Sequence, residues 1–136
     1  MPRVFETRFR VRSYELDSLR HVNNAVYLQY FEHARMEALQ ATGYPLQRLF
    51  SMGTVPNVVR AEIDFRRPIT EGDPVLITTE VEKAGRSSMS IRQRLYLDRD
   101  PAVEVADALI VGVWVSTTDG RPVPIPPELR DAFGVE

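Results

Sequence analysis

Along only one stretch of this chain, Asn24 to Thr42, do apolar residues recur at spacings of three and four; every other patterned segment repeats at two. A chain built this way has one long helix and several strands. On the helical stretch Tyr27, Phe31, Ala34, Ala38 and Ala41 share one stripe, with Gln29, His33, Glu37 and Gln40 opposite. Asn23 or Asn24 is placed to cap its start, and Gly43 followed by Pro45 ends it. The helix is about 27 Å long at ~1.5 Å per residue. Three alanines on the stripe let a sheet approach closely, which suits a helix that a sheet wraps.

The period-two runs set the rest of the order. Residues 4–12 put Phe5, Thr7, Phe9 and Val11 on one face and Glu6, Arg8, Arg10 and Arg12 on the other, as in a half-buried strand. From Val55 to Arg66, Val55, Asn57, Val59, Ala61, Ile63 and Phe65 alternate with their neighbours. Turn signals at Glu71–Pro74, Ala84–Gly85, Asp98–Pro101 and Asp119–Gly120 bound three further runs, Val75–Lys83, Ser88–Leu97 and Ala102–Thr117. Such short connections predict a four-strand antiparallel meander after the helix. The last run is apolar on both faces and is expected centrally, with Gly112 marking a bulge or a close approach. Pro127–Phe133 is expected to add a helical turn. One helix cannot cover both faces of a five-strand sheet. Apolar residues on the uncovered side are therefore expected to be buried against another subunit in an obligate homo-oligomer.

At 136 residues, 1–136 is expected to be a single domain. The 17 Lys+Arg against 19 Asp+Glu leave no excess of positive charge for nucleic acid or an anionic membrane. With no cysteine there is no thiol nucleophile or disulfide, and with only His21 and His33 no multi-histidine metal site. Neither metal nor cofactor is expected. The N-terminus lacks a signal-peptide core and no membrane-length apolar run occurs, so the reading is a soluble, cytoplasmic protein. The absence of a Gly-x-Ser-x-Gly elbow excludes the α/β-hydrolase route to ester or thioester cleavage.

The chemistry concentrates between the first strand and the helix, where Asp17, His21, Asn23 and Asn24 fall within eight residues. A helix start offers free N–H groups to a developing oxyanion, and a carboxylate beside it can activate water or attack directly. By spacing alone the same residues also read as caps and turn formers.

Asp17-x-x-x-His21-Val22-Asn23-Asn24-x-x-Tyr27, followed by Phe31-Glu32-x-Ala34-Arg35, resembles the signature of hotdog-fold thioesterases of the 4-hydroxybenzoyl-CoA thioesterase and YbgC type. Plant acyl-carrier-protein thioesterases share the His-Val-Asn-Asn segment. The likeness continues through Ile63-x-Phe65-x-x-Pro68-Ile69-x-x-Gly72-Asp73 and Lys83-x-Gly85-x-Ser87-Ser88. It implies an α+β hotdog fold, a long helix wrapped by a five-strand antiparallel sheet, in dimers or tetramers with sites between subunits. It also implies hydrolysis of an acyl-CoA, or of an acyl-carrier protein ester, to free acid and thiol. Asp17 would be general base or nucleophile, Asn24 would give its N–H to the oxyanion, and His21 matches the histidine of the acyl-carrier relatives. Asn23, Tyr27, Asn57, Val59, Arg66, Arg86, Ser87 and Ser88 would bind substrate. Arg60, Arg67, Lys83, Arg92 and Arg94 are further cations on strands and turns, available to phosphate or simply part of a solvated face, and Glu32 and Arg35 either reach a neighbouring chain or, as the default, pair within the helix. Two positions depart from the pattern: Leu19 stands where the acyl-carrier enzymes have asparagine, and Arg20 where glycine is common. Arg20 would meet Asp17 if the loop folds back, or face solvent or a CoA phosphate if not. The rival reading is a non-hydrolytic acyl-CoA or acyl-carrier-protein binding protein.

Overall fold

The computed structural model describes residues 2–136. β1 (Phe5–Arg10) buries Phe5 and Thr7 and exposes the charged residues between them, as its alternation requires. A single 3-10 turn (Ser13–Glu15) and a loop lead into α1 (Asn24–Ala41). Asn23 is the cap: its side-chain oxygen accepts from the Ala25 N–H at 2.9 Å. Thr42 closes the other end, and Gly43 turns the chain away at φ +86°. Tyr27, Phe31, Ala34 and Ala38 are buried as expected. Ala41 is not; Leu39 is buried instead, where α2 (Leu46–Met52) folds back with Leu49 against it. α2 carries no periodic signal in the sequence, because seven residues are too few to display a period.

β2 (Thr54–Phe65), β3 (Pro74–Ala84), β4 (Ser88–Leu97) and β5 (Val103–Ser116) complete one antiparallel sheet with β1, and α3 (Pro127–Phe133) follows as expected. The strand order is β1-β3-β4-β5-β2. The meander therefore holds for β3, β4 and β5 only. β1 already occupies the free side of β3, so β2 pairs with β5 at the opposite edge. Residues 66–73 then recross about 14 Å of sheet, three strand spacings of ~4.8 Å. β5 is interior, with β4 at the centre.

The pairing register also corrects the alternation in β2. Val58 faces Gly112 and Arg60 faces Val111, so Val59 is the extra residue of a bulge. A bulge swaps the faces before it: Val58, not Val59, shares the inner face with Ala61 and Ile63. At Gly112 the bulge is in the facing strand, β2, and Gly112 gives the close approach, a Cβ there lying 3.6 Å from the Asn57 carbonyl oxygen; the register shift in β5 falls instead at Val105, between the Leu95–Ala106 and Tyr96–Glu104 pairs.

α1 packs on the inner face, over β1 and β3, and buries Ile77, Leu95, Ala108 and Ile110 beneath its first turns. Trp114, Leu129 and Phe133 fill the space under its far end, with Phe5 edge-on to Phe133 at 5.9 Å. The uncovered face is not the apolar surface expected of it. Arg92, Arg94 and Arg66 interleave there with Glu82, Glu80, Glu104 and Asp107 at 3.2–4.0 Å. Exposed apolar residues gather instead along the β2 edge and the adjoining side of α1: Val58, Val59, Phe65 and Leu28.

Candidate active site

The loop between the 3-10 turn and α1 is tied at several points. Leu16 and Val22 form an isolated antiparallel bridge, and the Asp17 N–H donates to the His21 carbonyl at 2.8 Å. The half-buried Asp17 carboxylate turns inward on this small loop. Its Oδ1 accepts from the Leu19 N–H at 2.8 Å and the His21 N–H at 3.3 Å. Oδ2 accepts no hydrogen bond from the described residues. Two backbone donors thus fix the carboxylate's orientation and leave one oxygen available.

Arg20 adopts φ +63°, the only non-glycine positive φ among the described residues. That is the conformation glycine takes without strain, so the arginine follows a glycine-type turn. Its carbonyl accepts from the Thr70 hydroxyl at 2.8 Å, while its exposed side chain makes no ion pair with Asp17. The loop does not fold back to join the two charges.

Glu15 anchors the loop from below. Its Oε1 accepts from the Arg12 N–H and the Tyr30 hydroxyl, each at 2.7 Å, and its main-chain carbonyl accepts from the Asn23 N–H at 2.9 Å. Burial and then this hydrogen bond to Glu15 push the Tyr30 hydroxyl's pKa upward, so it stays a donor. Glu15 is not legible in the sequence, because one carboxylate beside a strand end carries no periodic signal.

Asn24 opens α1 with a backbone N–H that has no acceptor among the described residues. It lies at one end of an open hollow of about 390 Å³ shared with Leu28 and with Ile63 and Phe65 of β2. The Asn23 side chain is committed to its cap, and His21 enters the loop's hydrogen bonds through its main chain only. Tyr27 is buried in the core, edge-on to Phe65 at 5.0 Å, and burial raises its hydroxyl to about 12.

Asp17, His21, Asn23, Asn24 and Tyr27 therefore come together. Asn57 lies farther along β2 in a larger cavity of about 470 Å³, which Val58 lines in place of Val59. Arg66 is held in the outer-face ion pairs. Arg86, Ser87 and Ser88 form the β3–β4 turn, where the carbonyls of Arg86 and Ser87 accept from Ile125 and Trp114. β3 begins near the Asp17 loop and runs eleven residues to that turn, so within one chain the two lie roughly 30 Å apart. Of the expected phosphate-binding cations, Arg60 is paired with Glu62, and Arg92 and Arg94 with carboxylates. Arg67, Lys83 and Arg86 have no ion pair among the described residues.

Residues 11–133 match the model of the thioesterase-like superfamily. The chain belongs to that superfamily. This thioesterase is 32% identical over 126 residues to the long-chain acyl-CoA thioesterase FadM of Escherichia coli, covering 93% of this chain and 94% of that one. It is 30% identical over 134 residues to the acyl-acyl carrier protein thioesterase ATL3 of Arabidopsis thaliana, covering 98% of this chain and 69% of the relative. A 1,4-dihydroxy-2-naphthoyl-CoA thioesterase from Synechocystis superposes with a TM-score of 0.88 over 96% of each chain; at 22% identity this likeness speaks for the fold alone. The fold is the hotdog fold that the sequence resemblance implied.

Proposed function

We propose that the protein hydrolyses acyl-CoA thioesters to free acid and CoA, with Asp17 as the reacting carboxylate and the Asn24 N–H as oxyanion donor. The observation carrying this reading is the Asp17 carboxylate, held by two backbone N–H groups with one oxygen open, on the loop that delivers an unpaired N–H at the start of α1. A helix start offers its N–H where negative charge develops on the thioester oxygen. Water then adds to the carbonyl carbon as its proton passes to Asp17, or Asp17 adds directly to form a mixed anhydride that water opens. In either route the C–S bond breaks and the thiolate leaves as CoA. No metal takes part.

The site is completed by a second copy. β2 is an edge strand of twelve residues with exposed Val58, Val59 and Phe65, the kind of edge that pairs with another chain. Antiparallel pairing of two β2 edges about a two-fold axis reverses one chain against the other. The partner's Arg86, Ser87 and Ser88 then approach the end of the sheet where Asp17 lies, with an unpaired arginine for a CoA phosphate.

The test is release of free CoA from a panel of acyl-CoA esters and acyl-carrier protein esters, read with a thiol reagent; the chain's lack of cysteine removes its own background. Wild type should turn over at least one acyl-CoA without added metal, and Asp17→Asn should lower kcat by at least ~100-fold, the scale of a lost acid–base group, with substrate binding kept. Binding of an ester without release of thiol would make the protein an acyl-CoA or acyl-carrier binder. Wild-type turnover in Asp17→Asn would reduce Asp17 to a turn former.

A further inference from the structure

The two hollows beside α1 lie along one helical face. Asn24, Leu28, Glu32, Arg35 and Leu39 follow one another at spacings of three and four, about 100° round from the core-facing stripe. Against them the inner face of β2 runs the other way, Phe65, Ile63 and Ala61 at the helix start, then Val58 and Pro56. The face leads from the proposed oxyanion donor into the 470 Å³ cavity. That cavity is mostly apolar, lined by Met36, Leu39, Val81, Met89 and Ile91 among others; Glu32, Asn57 and Thr79 also reach it, and two hydrogen-bond donors on it stand out.

One is Trp114. It is 1% exposed, lines the cavity, and its indole Nε1–H has no hydrogen-bond acceptor. The other is Arg35, a part-buried guanidinium on the same cavity. Burial lowers its pKa from the ordinary arginine value, with the Glu32 charge opposing. The expected Glu32–Arg35 pair is not formed within 4.0 Å, and Arg35 makes one hydrogen bond, from Nη1 to the Gln93 Oε1 at 2.9 Å. Fully buried Gln93 spends its amide on the Phe31 carbonyl and the Thr79 hydroxyl, each at 3.0 Å. The Gln93 acceptor is thus occupied, the Glu32 carboxylate on the same cavity lies beyond 4.0 Å of the guanidinium, and guanidinium and indole donors remain. A buried donor without an acceptor is costly, and a pocket meant only for a hydrocarbon tail has no use for two of them.

We infer that this cavity takes the far end of an acyl chain that carries an oxygen acceptor, a carboxylate or a hydroxyl, with Arg35 and the Trp114 Nε1–H as its donors. The inference rests on the acyl-CoA reading and narrows it to acyl groups oxygenated at the distal end. Eleven residues separate Asn24 from Arg35, about 16 Å at ~1.5 Å per residue. An extended chain advances about 1.2 Å per bond, so about 13 bonds, an acyl group near fourteen carbons, span the distance.

The experiment compares kcat/KM for three fourteen-carbon CoA esters ending in methyl, hydroxyl or carboxylate. Wild type should favour an oxygen-terminated ester over the methyl-terminated one by at least about tenfold, through KM; the hydroxyl and carboxylate arms show which acceptor is preferred. Arg35→Met should cut that selectivity ratio at least about tenfold, and Trp114→Phe, which removes only the indole donor, should cut it several-fold. Wild-type preference for the methyl terminus, or a ratio unmoved in both variants, overturns the inference. Equilibrium binding of the free fourteen-carbon diacid and monoacid to the wild-type oligomer gives a second readout that needs no turnover. Should no CoA ester be hydrolysed, the thioesterase reading fails on its own, and the inference is decided by whether the diacid binds at least about tenfold more tightly. Equal binding of the two acids overturns it.

Discussion

Arg20 carries the sharpest residue-level tension in the site. A left-handed turn costs an L-residue roughly 1–2 kcal/mol, and glycine escapes that cost while surrendering about 0.5–1 kcal/mol in extra unfolded-state entropy. The Thr70 hydrogen bond goes to the Arg20 carbonyl, so it survives the loss of the side chain. Arg20→Gly should therefore raise the denaturant midpoint by an amount worth less than about 1 kcal/mol, with m unchanged. Because the guanidinium is not paired with Asp17, the acid limb of the kcat/KM profile should superimpose on that of wild type. A lowered midpoint would show that the arginine makes stabilising contacts in the assembled protein. The substitution was visible in the sequence, but its consequence was not. A charge three residues from Asp17 suggests a pair, and only the backbone angle shows that the position holds a turn.

At the scale of elements, what places Asp17 is the link between the 3-10 turn and α1, and that link depends on Glu15. Glu15→Ala removes the acceptor for the Tyr30 hydroxyl and the Arg12 N–H, leaving a buried donor unsatisfied at roughly 1–3 kcal/mol. Glu15→Gln keeps an acceptor oxygen in place and should lose less. Thermal or denaturant unfolding of the pair checks the order, and kcat should fall with stability in Glu15→Ala because the loop carrying Asp17 loosens. Elements with strong local signals were legible: β1 from clean alternation, α1 from its period with Asn23 and Gly43 at its ends, β3 to β5 from their turns, and α3 from its prolines. Elements whose form depends on distant partners were not. The place of β2 follows from β1 having taken the side of β3, and the bulge at Val59 follows from pairing with β5, so Val58 lines the cavity. The Asp17–Asn24 segment was legible as a motif, whereas Arg35 and Trp114, which are 79 residues apart, share a cavity only after the sheet has formed.

For the whole molecule, the distribution of charge favours one surface for the proposed second copy. The outer face of the sheet is laced with arginine–carboxylate pairs, which would lose hydration if buried, while the β2 edge presents unpaired main-chain groups beside exposed valines. In the proposed dimer, pairing there would shield apolar surface, satisfy the edge, and set the Arg86–Ser88 turn of one chain toward the Asp17 of the other. Val59, 62% exposed in the single chain, is the residue on which to test this. A surface substitution normally moves monomer stability by less than about 0.5 kcal/mol, so Val59→Lys should leave an isolated fold intact while placing like charges against each other across a two-fold edge. Light scattering at micromolar concentration should give a dimer or larger for wild type and a shift toward monomer for Val59→Lys. CoA release should fall with the oligomer and recover as protein concentration is raised. A Val59→Lys monomer with undiminished turnover would place the whole site within one chain, and an unchanged oligomer would move the interface away from β2.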